Sequence, residues 1–250
     1  MANGYLGRGR LKLAPYSDSL TFHQREFRDV GNASGLRYSF TEEKKELLDY
    51  RDAAGGVADS FSRIDQFELG LDLREFTAEN LALAFWGTSA ALTATPIVDE
   101  AGYKVQAGKF VPTKRAIDTS VAPVLKEGAQ VIDTAAYTVS AGGITFASTL
   151  TTAGLVDGDA ITIGYTPLAG ADVQSLISSA PTVSILFEGV NASTGKVMIA
   201  RFWKVKLGVA EGFEAIGEEY GTLPIKAEVL KDESIVAGGV SKFMQLEFQS

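Results

Sequence analysis

From Arg63 to Phe76 the chain reads RIDQFELGLDLREF, with Phe67, Leu69, Leu71 and Leu73 at every second position and Glu68, Gly70, Asp72 and Arg74 between or after them. Successive side chains of a strand point to opposite faces, so this period predicts a strand with one buried face and one face that presents carboxylates. LRYSF repeats the pattern, with Leu36, Tyr38 and Phe40 set against Arg37 and Ser39. TEEKKELLDY, which follows it, reads as a long exposed strand carrying both signs of charge; the competing pattern is a helix, with Glu42 and Glu46 flanking the lysines at helical spacing. RDAAGGVADS then loops back, and the two strands make a long hairpin with a Gly-rich tip.

FTAENLALAFWG breaks the period of two. Thr77 can cap a helix, Glu79 sits in its first turn, Gly87 can end it, and Leu81 with Phe85 gives an apolar pair at a spacing of four. About three turns are marginal alone, so the helix is expected to pack on the Phe67 to Leu73 face. After about Thr95 charge thins and Ala, Thr, Val and Gly dominate. AYTVSAGGITFAS predicts two strands across a Gly-Gly turn, and LVDGDAITIGYTP an Asp-Gly turn leading into Ile161, Ile163 and Tyr165. TVSILFEGV and KVMIARFWKVKLG flank the turn-forming NASTG as a second hairpin, and TLPIKAEVLKD and KFMQLEF read as two closing strands. The expected organisation is a mainly β core domain, 1–94 with 169–250, interrupted by a small all-β insert at 95–168.

Composition narrows the chemistry. The 250 residues, 46% hydrophobic and 22% charged, suffice for a sizeable core. There is no cysteine, which removes disulfides, thiolate metal sites and cysteine nucleophiles together. The net charge of −8 is spread along the chain, and the nearest approach to a basic cluster is the short GRGRLK at Gly7–Lys12, so a general nucleic-acid binder is not expected. No apolar run approaches the roughly 20 residues of a membrane span, and the first residues lack the apolar stretch of a secretory leader.

Catalytic motifs are thin. The one histidine, His23, has neither a nucleophile elbow nor a helical His-Glu pair beside it and reads as structural or surface. GYLGRG has no flanking strand and helix to make a phosphate cradle, and Asp157 and Asp159 in VDGDA read as turn residues rather than calcium ligands. No catalytic residue, metal site or cofactor is expected, and the chain reads as a structural or binding protein.

The order of segments carries a resemblance. REFRDVGNASGLRYSFTEEKKELLDYRDAAGGVADSFSRIDQFELGLDLREFTAENLALAFWG resembles the amino-terminal half of major tail tube proteins of long-tailed, non-contractile bacteriophages. ARFWKVKL, GEEYGTLPIKAEVLKD and SKFMQLEF are similar to that family's closing strands, and the middle third is similar to an insert that such proteins carry. The resemblance implies a β-sandwich or barrel-like core with one flanking helix. It implies copies of the chain in rings, typically hexameric, stacked into a hollow tube that conducts DNA from capsid to host. It also implies a place in the virion tail and contacts with tape measure, tail terminator and distal tail proteins. On that reading Glu68 and Asp72 face the lumen, where an acidic wall lets DNA slide. The insert sits outside the tube wall. The Gly-rich loop, with Asp52, Gly55, Gly56 and Asp59, and the arm before Pro15 are expected to be mobile and to make ring-to-ring contacts. The alternatives are the inner tube of a contractile tail or injection system, and a β-sandwich adhesin or carbohydrate-binding module. Such a module calls for an exposed aromatic cluster, whereas Trp86 and Trp203 lie in core-like segments.

Overall fold

The computed structural model describes residues 4–51, 55–152, 154–212 and 214–249. In chain order the strands are β1 (Gly7–Pro15), β2 (Arg28–Asp29), β3 (Ala33–Leu48) and β4 (Val57–Leu73), followed by the helix α1 (Ala78–Ala84). Then come β5 (Thr88–Leu92), β6 (Ile97–Lys104), β7 (Phe110–Pro112), β8 (Val124–Glu127), β9 (Gln130–Val131), β10 (Tyr137–Ser140) and β11 (Gly143–Phe146). The last are β12 (Ala160–Tyr165), β13 (Gly170–Gln174), β14 (Thr182–Asn191), β15 (Val197–Ala210), β16 (Leu223–Leu230) and β17 (Met244–Phe248). The fold is mainly β with one α-helix among the described residues, as the period-two pattern predicts.

The chain divides into two compact units, Met1–Ser89 with Val173–Ser250, and Ala90–Asp172. The second spans the stretch 95–168 and extends a few residues beyond it at both ends. Within it a sheet of order β10-β11-β7 and a sheet of order β6-β12-β8-β9 share a core that includes Ile117, Leu125, Ile144, Phe146 and Ile163. Glu100 accepts hydrogen bonds from the Tyr103 and Tyr165 hydroxyls and lies 3.5 Å from Lys114 Nζ, which ties β6 to β12 and to the segment after β7. The two connections between the units, β5 and β13, pair with each other.

The core unit is built on one eight-stranded antiparallel sheet of order β2-β1-β14-β15-β16-β4-β3, with β17 also on β15. Phe67, Leu69, Leu71 and Leu73 are buried together with Leu11, Ile185, Phe202, Val205, Leu207 and Ile225. The sheet curls: β1 and β3, distant in strand order, line the same cavity of about 410 Å³. This matches the barrel-like expectation, with an open seam where β1 and β3 face each other.

The arm before Pro15 corrects one expectation. It is β1, paired with β14 from Gly7↔Asn191 to Pro15↔Val183, with Leu11, Leu13 and Ala14 buried. Gly9 is explained by close approach, because a Cβ there would lie 2.2 Å from the Glu188 carbonyl oxygen.

Thr77 caps α1 as expected, accepting from the Asn80 backbone N–H at 3.2 Å. The helix ends sooner than the apolar pattern implies. Gly87 N–H donates to the Ala82 carbonyl at 2.7 Å while Trp86 takes φ +49°, so Trp86 holds the left-handed position that glycine usually fills in this motif. Asn80, Ala82 and Ala84 are buried, and Leu81, Leu83 and Phe85 pack on the core while partly exposed. Leu81→Ala is therefore expected to cost about 2 kcal/mol, the low end for leucine truncation. The urea midpoint checks this, and an unchanged midpoint would mean that α1 contributes no packing.

Candidate assembly surface

The outer face of the sheet carries Glu68 and Asp72, but the neighbouring strands change its character. Glu68 stands opposite Glu228, Gly70 opposite Lys226, and Lys206 opposite Glu228 in the register. Arg37 Nη1 lies 2.7 Å from Asp72 Oδ2, and Lys226 Nζ lies 2.5 Å from Glu211. Lys206, Lys226, Arg37, Glu68 and Glu228 all line a groove of about 850 Å³ that also reaches Trp86. The face is mixed in charge, not acidic. Of the two expected carboxylates, Glu68 is exposed and Asp72 is committed to Arg37. A single strand's alternation cannot report the lysines that β15 and β16 bring alongside.

The long hairpin is largely exposed among its described residues. β3 and β4 run 16 and 17 residues, yet β4 pairs with β16 only over Glu68–Leu73. Beyond that the hairpin stands as an arm, whose described residues from about 41 to 66 are exposed apart from the half-buried Glu43 and Asp49. Asp65 is a bulge: Thr41 pairs with Gln66, and Glu42 with Ile64. Residues directly opposite share a face, so the register sets Ile64 on the side of Phe40 and Phe67, and Phe61 with Leu47 on the other. Phe40, Leu47, Phe61 and Ile64 are 52–64% exposed. The outer edge of β3 has no partner strand in this chain among the described residues. Ion pairs such as Arg63–Glu43 at 2.5 Å and Lys44–Glu46 at 2.7 Å line the arm.

At the arm's tip, Gly55 and Gly56 take φ +61° and +151°, and the Gly56 carbonyl accepts from the Asp49 N–H at 2.8 Å. Asp59 lies inside β4, opposite Leu47, and accepts from the Ser60 N–H at 2.8 Å. Asp52 lies outside the described residues.

His23 is exposed on a short 3₁₀ turn against Phe22. Asp157 and Asp159 accept backbone N–H groups of Ala107 and Val156 as turn residues do. Among the described residues no group of three metal-ligating side chains occurs, and no helix is long and apolar enough to cross a membrane. Trp203 is buried and donates through Nε1 to the Ser241 carbonyl at 2.9 Å.

Two features escaped the sequence. One is the seam between β1 and β3. The other is a buried polar junction of Arg25, Asp232, Ser184 and Tyr16. The signal for it was an arginine between Phe22 and Phe27 in LTFHQREF, which a single strand-period reading does not weigh.

No curated protein matches the chain. Residues 4–247 match the family described as protein of unknown function UCP028589, and the chain belongs to that family.

Proposed function

We propose that this chain is a structural subunit, not an enzyme, and that its copies form rings which stack into a hollow tail tube of a long-tailed bacteriophage. The observation that carries the reading is the arm. A hairpin with large apolar side chains on both faces and an unpaired sixteen-residue edge is a template for other chains. Two apolar faces and one edge suit a subunit enclosed by neighbours on more than one side, which a ring of like subunits supplies. The mainly β core with one flanking helix is the fold that the tail tube resemblance implies. Tape measure, tail terminator and distal tail proteins enter as partners, and the virion tail as the location, through that resemblance.

In such a tube the groove face of β3, β4, β15 and β16 lines the bore. Its balance of lysines and carboxylates gives DNA no continuous basic track to bind. Replacing Glu68 and Asp72 by lysine removes two carboxylates from each copy. Stability is expected to fall by less than about 1 kcal/mol, since the Arg37–Asp72 pair is exposed on the arginine side. DNA should now be held by the wall, and ejection from virions carrying the double variant should slow at low salt and recover at high salt. Unchanged ejection at low salt would remove this face from the bore.

The assembly reading itself is tested by sedimentation of the purified chain over a concentration series. The expected species are discrete multiples of 26.6 kDa that grow with concentration. A single 26.6 kDa species throughout would contradict it.

A further inference from the structure

We propose that residues 214–220 of one copy seat in the cavity at the opposite end of the core sheet of the next copy, and that this head-to-tail contact stacks the subunits. The inference rests on the tube reading and deepens it.

The seat is a cavity of about 570 Å³ lined by Tyr5, Tyr38, Lys196, Met198 and Phe248, among others. Through Tyr5, Tyr38 and Met198 it shares walls with the seam cavity, which adds Arg8 and Arg37. Among the described residues neither lining contains a carboxylate, although the chain as a whole carries −8. Arg37 is engaged by Asp72, which leaves Lys196 and Arg8 as the positive groups of an apolar, aromatic site.

The plug has the opposite character. The connection between β15 and β16 contains EAIGEEYG, with Glu214, Glu218 and Glu219 around Ile216 and Tyr220. Ile216 is 92% and Tyr220 90% exposed. The three carboxylates form no ion pair within 4.0 Å among the described residues, whereas Glu211, at the base of the connection, is held by Lys226. An exposed isoleucine and tyrosine ringed by carboxylates complement an aromatic cavity ringed by cations.

A copy cannot fill its own seat. The plug follows Ala210 and the seat surrounds Lys196–Met198, at opposite ends of the fourteen-residue β15. At about 3.3 Å per residue the separation is on the order of 40 Å. The contact is therefore heterologous, and a heterologous contact repeats without closing on itself when no rotation closes it, as a stack requires.

Because the chain has no cysteine, introduced cysteines report the contact cleanly. Tyr220→Cys and Thr194→Cys are made separately, mixed at assembling concentration and mildly oxidised, and the tubes are counted by microscopy in parallel. The expected result is a disulfide-linked heterodimer several-fold above either homodimer, and a ladder when one chain carries both changes. Heterodimer no more abundant than homodimer overturns the contact; if tubes form in that same sample, the tube reading survives it. Heterodimer without tubes keeps the contact and overturns the tube. As a second variant, Glu218→Lys with Glu219→Lys should abolish the wild-type sedimentation shift, and adding Lys196→Glu and Arg8→Glu should restore it. Unchanged assembly by the lysine variant would also overturn the contact.

Discussion

Arg25→Ala is expected to destabilise the core unit by about 3–5 kcal/mol, the range for breaking a buried ion pair by removing one partner. Arg25 is 6% exposed, and its guanidinium holds together segments far apart in sequence. Its Nη1 donates to Ser184 Oγ at 2.6 Å and to the Trp203 carbonyl at 3.0 Å, and its Nη2 to the carbonyls of Ser17 at 3.2 Å and Leu20 at 3.0 Å. Asp232, 2% exposed, lies 3.7 Å away and accepts from the Tyr16 hydroxyl and from Ser234. Alanine leaves the carboxylate uncompensated and four acceptors short of a donor. Lysine cannot reproduce the fork, so Arg25→Lys should lose most of the same stability. Domains of this kind hold about 5–15 kcal/mol in total, so the urea midpoint should fall steeply at constant slope.

The same junction fixes a pH dependence. Burial pushes the Asp232 carboxyl up, but the Ser234 hydrogen bonds, the Tyr16 hydroxyl and the Arg25 guanidinium together outweigh it and hold the carboxyl below its ordinary value. Burial and two carboxylate acceptors push the Tyr16 hydroxyl up, which keeps it a donor. A depressed folded pKa contributes stability that is present above the unfolded value of about 3.9 and is lost as pH falls through the folded value. Wild type should therefore lose stability below about pH 4. Asp232→Asn should be weaker at neutral pH and lose less on acidification. Parallel acid limbs for the two proteins would show that Asp232 does not titrate with folding.

Cutting the arm should abolish assembly while sparing the fold. Replacing residues 42–64 by a short Gly-Ser turn removes a segment whose described residues lie outside the buried core. Exposed surface of this kind contributes little to folding, so the thermal midpoint should shift by only a few degrees. Higher-order species should vanish from sedimentation. Should the deletion fail to fold, Phe61→Asp with Ile64→Asp makes the same test with the backbone intact, since these side chains are 64% and 59% exposed. Wild-type assembly by either folded variant would remove the arm from the contacts.

The strands with one buried face were legible in the sequence because burial writes a period of two. β4, β12, β14 to β16 and the hairpin turns between them follow the pattern that the residues predict. β1 was not legible for a physical reason. Gly7 to Arg10 meet the outer end of β14 and are exposed, so they contribute backbone pairing and no apolar period; only Leu11, Leu13 and Ala14 enter the core. Strands exposed on both faces, such as β5 with TSAAL, leave no alternation to find. The helix was placed by its cap, and its end was set later than the structure has it, because a left-handed tryptophan is not a residue that a sequence signal anticipates. At the candidate surface, Glu68 and Asp72 were found as outward carboxylates. The lysines that share their face, Lys206 and Lys226, come from strands more than 130 residues away. The bulge at Asp65, which puts Ile64 on the side of Phe40 and Phe67 and turns Phe61 to the other, is a property of pairing and not of either strand alone.

Whether copies of this chain build a hollow tube is read from negative-stain electron microscopy of the purified, concentrated and long-incubated protein. Rings with a central opening and tubes made of them are expected, absent from the arm-deleted variant. A field of folded single copies at every concentration, identical with and without the arm, would contradict the tube.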